Sequence, residues 1–141
     1  MIGIYRTSED KFKNLPGFPY NLHYLENVKG FEAVKEGLRI SYLDEGPKDS
    51  ELTFLMLHGH LTWSYMWRHF IDIIMNSNYR AVAIDFPGFG RSDKPTDEKV
   101  YTFTSLRNVI INSIERLDLN NIVLVVHEWG GFVGLTFGYA Y

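Results

Sequence analysis

Leu124-Val125-Val126-His127-Glu128-Trp129-Gly130-Gly131 has the shape of a nucleophile elbow. An apolar strand ends, one reactive side chain sits on a sharp turn, and glycines open a helix. Small neighbours in such a turn let the strained residue hold its side chain clear of the backbone. Here the elbow position carries a carboxylate, Glu128, followed at once by the indole of Trp129.

Working outward, two more apolar runs lack polar alternation: Thr53-Phe54-Leu55-Met56-Leu57 and Ala81-Val82-Ala83-Ile84. With Ile122-Val123-Leu124-Val125-Val126 they suit strands covered on both faces, as in a parallel sheet. Two helical patterns lie between the runs. Met66, Phe70, Ile73 and Ile74 form one apolar stripe, with Arg68, His69 and Asp72 turned elsewhere. Leu106, Val109, Ile110, Ile114 and Leu117 form the other, and Thr104 or Ser105 is placed to cap its start. Strands alternating with helices predict an open α/β sheet with its chemistry at the carboxyl ends of the strands. Residues 37–46 alternate instead, Leu38, Ile40 and Tyr42 against Arg39 and Ser41, predicting a half-exposed strand near the sheet edge. Residues 1–30, broken by Pro16, Gly17 and Pro19, read as an irregular arm anchored by Phe12, Phe18, Tyr20 and Tyr24. Residues 31–141 form the core, with no repeat or second domain.

Bulk properties narrow the function classes. The chain has 141 residues, 45% of them apolar and 16% aromatic, which fits one globular domain. A net charge of −3 argues against a nucleic-acid footprint. No run is long and apolar enough for a membrane span or an export signal, so the expected address is the cytoplasm. With no cysteine there is no disulfide, thiol nucleophile or sulfur-ligated zinc, and no cofactor is implied.

Each apolar run is followed by a loop of unusual composition. In His58-Gly59-His60-Leu61-Thr62-Trp63 the glycine permits close approach of a ligand, and the N–H groups after it can stabilise an anion. The plainer alternative is a tight turn with a satisfied histidine. A metal pair, His58 with His60, lacks a third ligand at suitable spacing. Asp85-Phe86-Pro87-Gly88-Phe89-Gly90-Arg91-Ser92-Asp93 reads as a structural turn, since Asp93 stands where a dinucleotide fingerprint needs its third glycine. The same fingerprint fails at the elbow, where Trp129 would have to be glycine. For Glu128 the plainer alternative is a helix-capping carboxylate, and for Trp129 core packing.

Taken in order, these loops resemble the N-terminal half of an α/β-hydrolase, and more narrowly a haloalkane dehalogenase. The resemblance runs through nearly the whole chain. It includes Arg6-Thr7-Ser8-Glu9-Asp10, Leu15-Pro16-Gly17-Phe18-Pro19-Tyr20, Tyr42-Leu43-Asp44-Glu45-Gly46-Pro47 and Thr62-Trp63-Ser64-Tyr65. It continues through Gly88-Phe89-Gly90-Arg91-Ser92-Asp93-Lys94-Pro95-Thr96-Asp97 and Glu115-Arg116-Leu117-Asp118-Leu119. Epoxide hydrolases share the carboxylate–tryptophan elbow. The resemblance implies cleavage of carbon–halogen bonds in small haloalkanes through an alkyl ester on the elbow carboxylate, then hydrolysis by a histidine-activated water. Carried over by motif, Glu128 takes the nucleophile position. Trp129 is the halide donor and one oxyanion N–H, and His60 supplies the other oxyanion N–H.

Three departures set expectations apart from the family. Glu128 replaces aspartate, pushing the carboxylate out by about one bond, and a shift on the order of 1 Å can cost about a hundredfold in rate. His60-Leu61 replaces an acidic or amide residue plus proline, leaving the loop without proline's fixed φ, and His127 replaces a polar amide. His127 is expected on the opposite side of its strand from Glu128. The family's cap, later strands, acid and base histidine have no counterpart here, since His23, His58, His60, His69 and His127 all precede Glu128. The expected chain is therefore an α/β fold of mostly parallel sheet with flanking helices, truncated and inactive alone. The alternatives are one half of a split enzyme completed by a complementary C-terminal half, an epoxide hydrolase relative, or a non-catalytic remnant. The last apolar strand is expected as an open edge, and the tail Gly138-Tyr139-Ala140-Tyr141 departs from the family pattern.

Overall fold

A computed structural model describes residues 2–137; the tail singled out above lies outside them. Three strands, β4 (Thr53–Leu57), β5 (Arg80–Ile84) and β7 (Ile122–Val126), are the three apolar runs. They run parallel, with β4 between β5 and β7, aligning Leu57 with Ile84 and with Val126. The three strand-end loops therefore emerge side by side.

Two antiparallel strands extend the sheet beyond β5. β3 (Leu38–Glu45) pairs with β5, and β2 (His23–Val28) pairs with β3, giving the order β2-β3-β5-β4-β7. β3 thus lies next to the edge, as its alternation predicts, but none of its residues is exposed. Its polar positions are roofed by the loop after β5: the Ser41 N–H donates to the Ser92 hydroxyl at 2.9 Å and the Arg39 N–H to Asp93 at 2.9 Å. The edge is β2, drawn from residues read as irregular. On the other side, no described strand pairs with the free side of β7.

Helix α1 (Arg68–Asn76) covers one face of the sheet and α2 (Phe103–Arg116) the other. Leu43, Met56, Ala81 and Ala83 pack with Trp67, Ile71 and Ile74. Leu55, Leu57, Val82 and Ile84 pack with Val109, Ile110 and Ile114. Neighbouring strand residues divide between the two clusters, as period-two alternation requires. The buried stripe of α1 is Trp67, Ile71 and Ile74, whereas Phe70 and Ile73 stay 51% and 66% exposed. Ile74 is buried as predicted, while the rest of the predicted stripe is one position out, Trp67 and Ile71 being buried in place of Met66 and Phe70; a 3-10 turn at Ser64–Trp67 leads into the helix. α2 is capped by Thr102, whose hydroxyl accepts from the Ser105 N–H at 3.1 Å, two or three residues before the expected caps.

The arm is tied down by its aromatics. Phe12 and Phe18 pack on Trp63, and the Tyr20 hydroxyl donates to Asp72. Tyr24 donates to Glu9 and lies under the guanidinium of Arg39. β1 (Ile4–Tyr5) pairs with β6 (Lys94–Pro95) in a two-stranded ribbon. No helix among the described residues is long and apolar enough to cross a membrane.

Candidate active site

The loop after β4 is organised by His58, which is fully buried. Its Nε2 accepts from the Phe86 N–H at 2.9 Å, which leaves the proton on Nδ1 for the Gly59 carbonyl at 2.7 Å. Burial pushes this imidazole's pKa down, against the opposing pull of Asp85 and the Gly59 carbonyl. His58 is therefore a neutral strut between two loops, with both ring nitrogens engaged and neither available to a metal. The chain then turns back, the Thr62 N–H reaching the Gly59 carbonyl, with Leu61 in the left-handed region at φ 59° and 84% exposed.

The loop after β5 is the structural turn its sequence predicts. The buried Asp85 carboxylate accepts from the N–H groups of Ser64 at 2.7 Å and Arg91 at 3.1 Å. The Ser92 hydroxyl donates to the Asp85 carbonyl, and Asp93 takes a two-point contact from Arg6. These bonds hold the first two loops and the arm in one fixed relation. Phe89, which the sequence reading passed over, lies edge-on to both His58 and His60 at 5.5 and 5.4 Å.

Helix α3 (Trp129–Gly134) follows β7 through the elbow. Glu128 sits at φ 50°, ψ −113°, a strained conformation for a residue with a Cβ. Its Oε2 accepts from the Trp129 N–H at 3.1 Å and from the His60 N–H at 2.5 Å. The first bond alone is what a helix cap makes. The second comes from a residue 68 positions earlier in the chain and is not part of capping. The His60 and Trp129 N–H groups, in that order, hold the Glu128 carboxyl below its ordinary pKa, so it is ionised.

The elbow also corrects the placement of His127. A Cβ placed on Gly59 would meet the His127 Nδ1 at 2.6 Å and the Glu128 Oε2 at 2.8 Å. The two side chains therefore converge over Gly59 instead of diverging, because the positive φ at Glu128 breaks strand alternation at the turn. This crowding is what the glycine in the first loop permits.

Beside the carboxylate lies a cleft of about 330 Å³ lined by Gly59, His60, Phe89, Tyr101, Trp129 and Val133. Trp129 is 38% exposed, which sets aside the core-packing alternative, and no described group accepts from its indole N–H. Tyr101 carried no signal in the sequence, since it enters from the turn before α2. Among the described residues, no cluster of three or more His, Cys, Asp or Glu side chains is arranged to hold a metal.

Glu128, Trp129 and His60 are thus brought to one point, between parallel strand ends and glycine-backed turns. Residues 53–141, more than half of the chain, match the α/β hydrolase fold family. The chain belongs to that family. Within it, the chain is 42% identical over 132 residues to a haloalkane dehalogenase of Psychrobacter cryohalolentis, covering 94% of this chain and 42% of that protein. A haloalkane dehalogenase structure from Paraglaciecola agarilytica NO2 superposes with a TM-score of 0.91 at 49% identity, covering 98% of this chain and 45% of that one. An epoxide hydrolase structure from Vigna radiata gives a TM-score of 0.69 at 30% identity, over 82% of this chain and 32% of that one. The chain therefore spans a little over two fifths of the length of the dehalogenases it matches, and the sequence resemblance to an N-terminal portion of such a protein holds.

Proposed function

We propose that Glu128 displaces halide from a small haloalkane, forming an alkyl ester on its own carboxylate. The observation that carries this reading is the double hydrogen bond to Oε2 from the His60 and Trp129 N–H groups. With Oε2 held there, Oε1 has no partner among the described residues and is the oxygen left to attack carbon. The indole N–H of Trp129, a residue that lines the cleft and whose indole has no acceptor among the described residues, receives the departing halide. In the ester Oε2 becomes the carbonyl oxygen, already seated between the two donors that would stabilise an oxyanion there during hydrolysis.

Hydrolysis also needs a base to activate water. No histidine ring hydrogen-bonds Glu128 among the described residues. The expected behaviour of this chain is alkylation near one equivalent, with bromide released from n-butyl bromide and a butyl group on the peptide bearing Glu128. Mass spectrometry and bromide titration test this, with Glu128→Gln as the variant that neither releases bromide nor gains mass. Labelling that persists in Glu128→Gln would refute the assignment. A cytoplasmic address, and pairing of a complementary C-terminal half along the free side of β7, belong to the same proposal.

A further inference from the structure

We propose that Arg39 and Arg91 form a binding site for a tetrahedral oxyanion of the phosphate class, a site that the Glu9 carboxylate fills imperfectly. It lies where the arm meets the loop after β5, and it is independent of the chemistry assigned to Glu128.

Glu9 sits between the two guanidiniums. Its Oε2 is 3.5 Å from Arg91 Nε, and its Oε1 is 4.0 Å from Arg39 Nη2. A charge-assisted hydrogen bond is about 2.8 Å long, so the gap between the guanidiniums is too wide for one carboxylate to bond both. The nitrogens show the consequence: Arg39 Nε and Arg91 Nε are buried and have no hydrogen-bond partner among the described residues. Buried donors in that condition are rare and call for an acceptor. Arg91 cannot turn out to water for one, since its side chain is only 6% exposed. The flat faces are covered, Arg91 lying over Phe12 and Arg39 over Tyr24, each at 4.3 Å. What the two guanidiniums present to Glu9 is therefore their N–H edges, the geometry that grips oxyanions.

Size and charge select the ligand. A phosphate ion can place separate oxygens on each guanidinium and another on the Tyr24 hydroxyl, which donates to Glu9 Oε1 at 2.6 Å. A halide offers one acceptor centre and cannot span the gap. Glu9 is able to give way, because its side chain is 54% exposed and stands at the start of a short 3-10 turn, Glu9–Phe12. With Glu9 swung out, the cations Arg6, Arg39, Arg91 and Lys94 face the carboxylates Asp85 and Asp93 alone. Four positive charges against two negative ones suit a dianion, which phosphate approaches above neutral pH.

Equilibrium dialysis of the whole chain against radiolabelled inorganic phosphate, at about pH 8 and constant ionic strength, is the test. Saturable binding is expected, displaced by sulfate but not by acetate or chloride. Glu9→Gln removes the competing charge, keeps an acceptor for Tyr24, and should tighten phosphate about fivefold, the upper end for an exposed ion pair. Arg39→Gln removes one edge and should abolish binding, with its urea midpoint measured without phosphate to show that it folds. Should Arg39→Gln fail to fold, the Glu9→Gln comparison decides. No saturable binding in either the parent or Glu9→Gln overturns the inference. So does an affinity unchanged in Glu9→Gln, phosphate retained by a folded Arg39→Gln, or displacement by chloride as readily as by sulfate. None of these outcomes bears on halide displacement at Glu128, which is read by its own labelling experiment.

Discussion

Gly130→Ala is the most direct test of how the elbow is built. Gly130 opens α3 against the end of the central strand β4. An added Cβ would fall on the Leu57 carbonyl oxygen, 2.6 Å from the Leu57 carbonyl carbon and 2.9 Å from the His58 carbonyl oxygen. These are backbone atoms at the end of a strand paired on both sides and of the residue after it, so they cannot yield as a side chain could. Relief has to come from α3, whose first turn must move away by roughly 1 Å to restore ordinary contact. Overpacking of this kind costs about 1–3 kcal/mol, and alanine's helix propensity returns about 1 kcal/mol. The net loss is up to about 2 kcal/mol, which at a urea m-value of about 2 kcal/mol/M lowers the midpoint by up to about 1 M.

The same movement carries the Trp129 N–H and Glu128 away from the His60 N–H, and a misplacement of about 1 Å costs about a hundredfold in rate. Gly131→Ala is the control, since its Cβ would meet only Val126 Cγ2, at an ordinary 3.7 Å. That variant should equal or exceed the parent in stability, by up to about 1 kcal/mol. Urea titrations read by tryptophan fluorescence, with alkylation rates on n-butyl bromide, separate the two. If Gly130→Ala unfolds and labels like Gly131→Ala, α3 does not approach β4 as described, and the account of the elbow is wrong.

Acid should weaken the fold in two stages, readable as urea midpoints between pH 8 and pH 2. His58 is held neutral, its pKa pushed down by burial, so its share of stability is present above about pH 6.5 and is lost as pH falls from there through its folded value. For Asp44, burial pushes the carboxyl up, but hydrogen bonds from Arg80 and Lys48 outweigh it and hold the group below its ordinary value. Its share is present above about pH 3.9 and is lost as pH falls further; a flat profile between pH 8 and pH 5 would contradict the role of His58. At Leu61, glycine should relieve a left-handed φ at a gain of about 1 kcal/mol, whereas proline, locked near −65°, should force the loop open and slow labelling of Glu128. A Leu61→Pro chain that is more stable and equally reactive would show that the loop does not adopt this turn.

The sequence announced the parallel strands because they are buried on both faces, a condition that leaves an uninterrupted apolar run. It was less informative where burial is made by polar partners. Ser41 and Arg39 look solvent-facing as residue types, yet their N–H groups are satisfied by Ser92 and Asp93 across more than fifty residues of chain. β2 was obscured for a related reason: His23, Glu26 and Asn27 carry little strand propensity, and pairing with β3 is what makes that segment extended. At the candidate site, the grouping of Glu128, Trp129 and His60 was legible from motif order. The convergence of His127 on Gly59 was not, because alternation along a strand does not survive a positive φ.

The exchange of aspartate for glutamate looked from sequence like a displaced nucleophile, with the extra methylene as its cost. The geometry changes the weight of that argument. The two donors that define the site are main-chain N–H groups, so their positions follow from the turn at Gly59 and the elbow at Glu128, whatever side chain occupies residue 128. A carboxylate on a longer arm needs only one oxygen to reach both donors, and Oε2 does. Its second oxygen is then fixed by carboxylate planarity, and the added length is taken up by bending over Gly59, where no Cβ stands in the way. What the longer side chain alters is therefore the direction from which Oε1 meets carbon. Under the proposed reaction the consequence falls on which haloalkanes fit between Glu128, Trp129 and His60, while the hydrogen bonds that hold the carboxylate ionised are preserved.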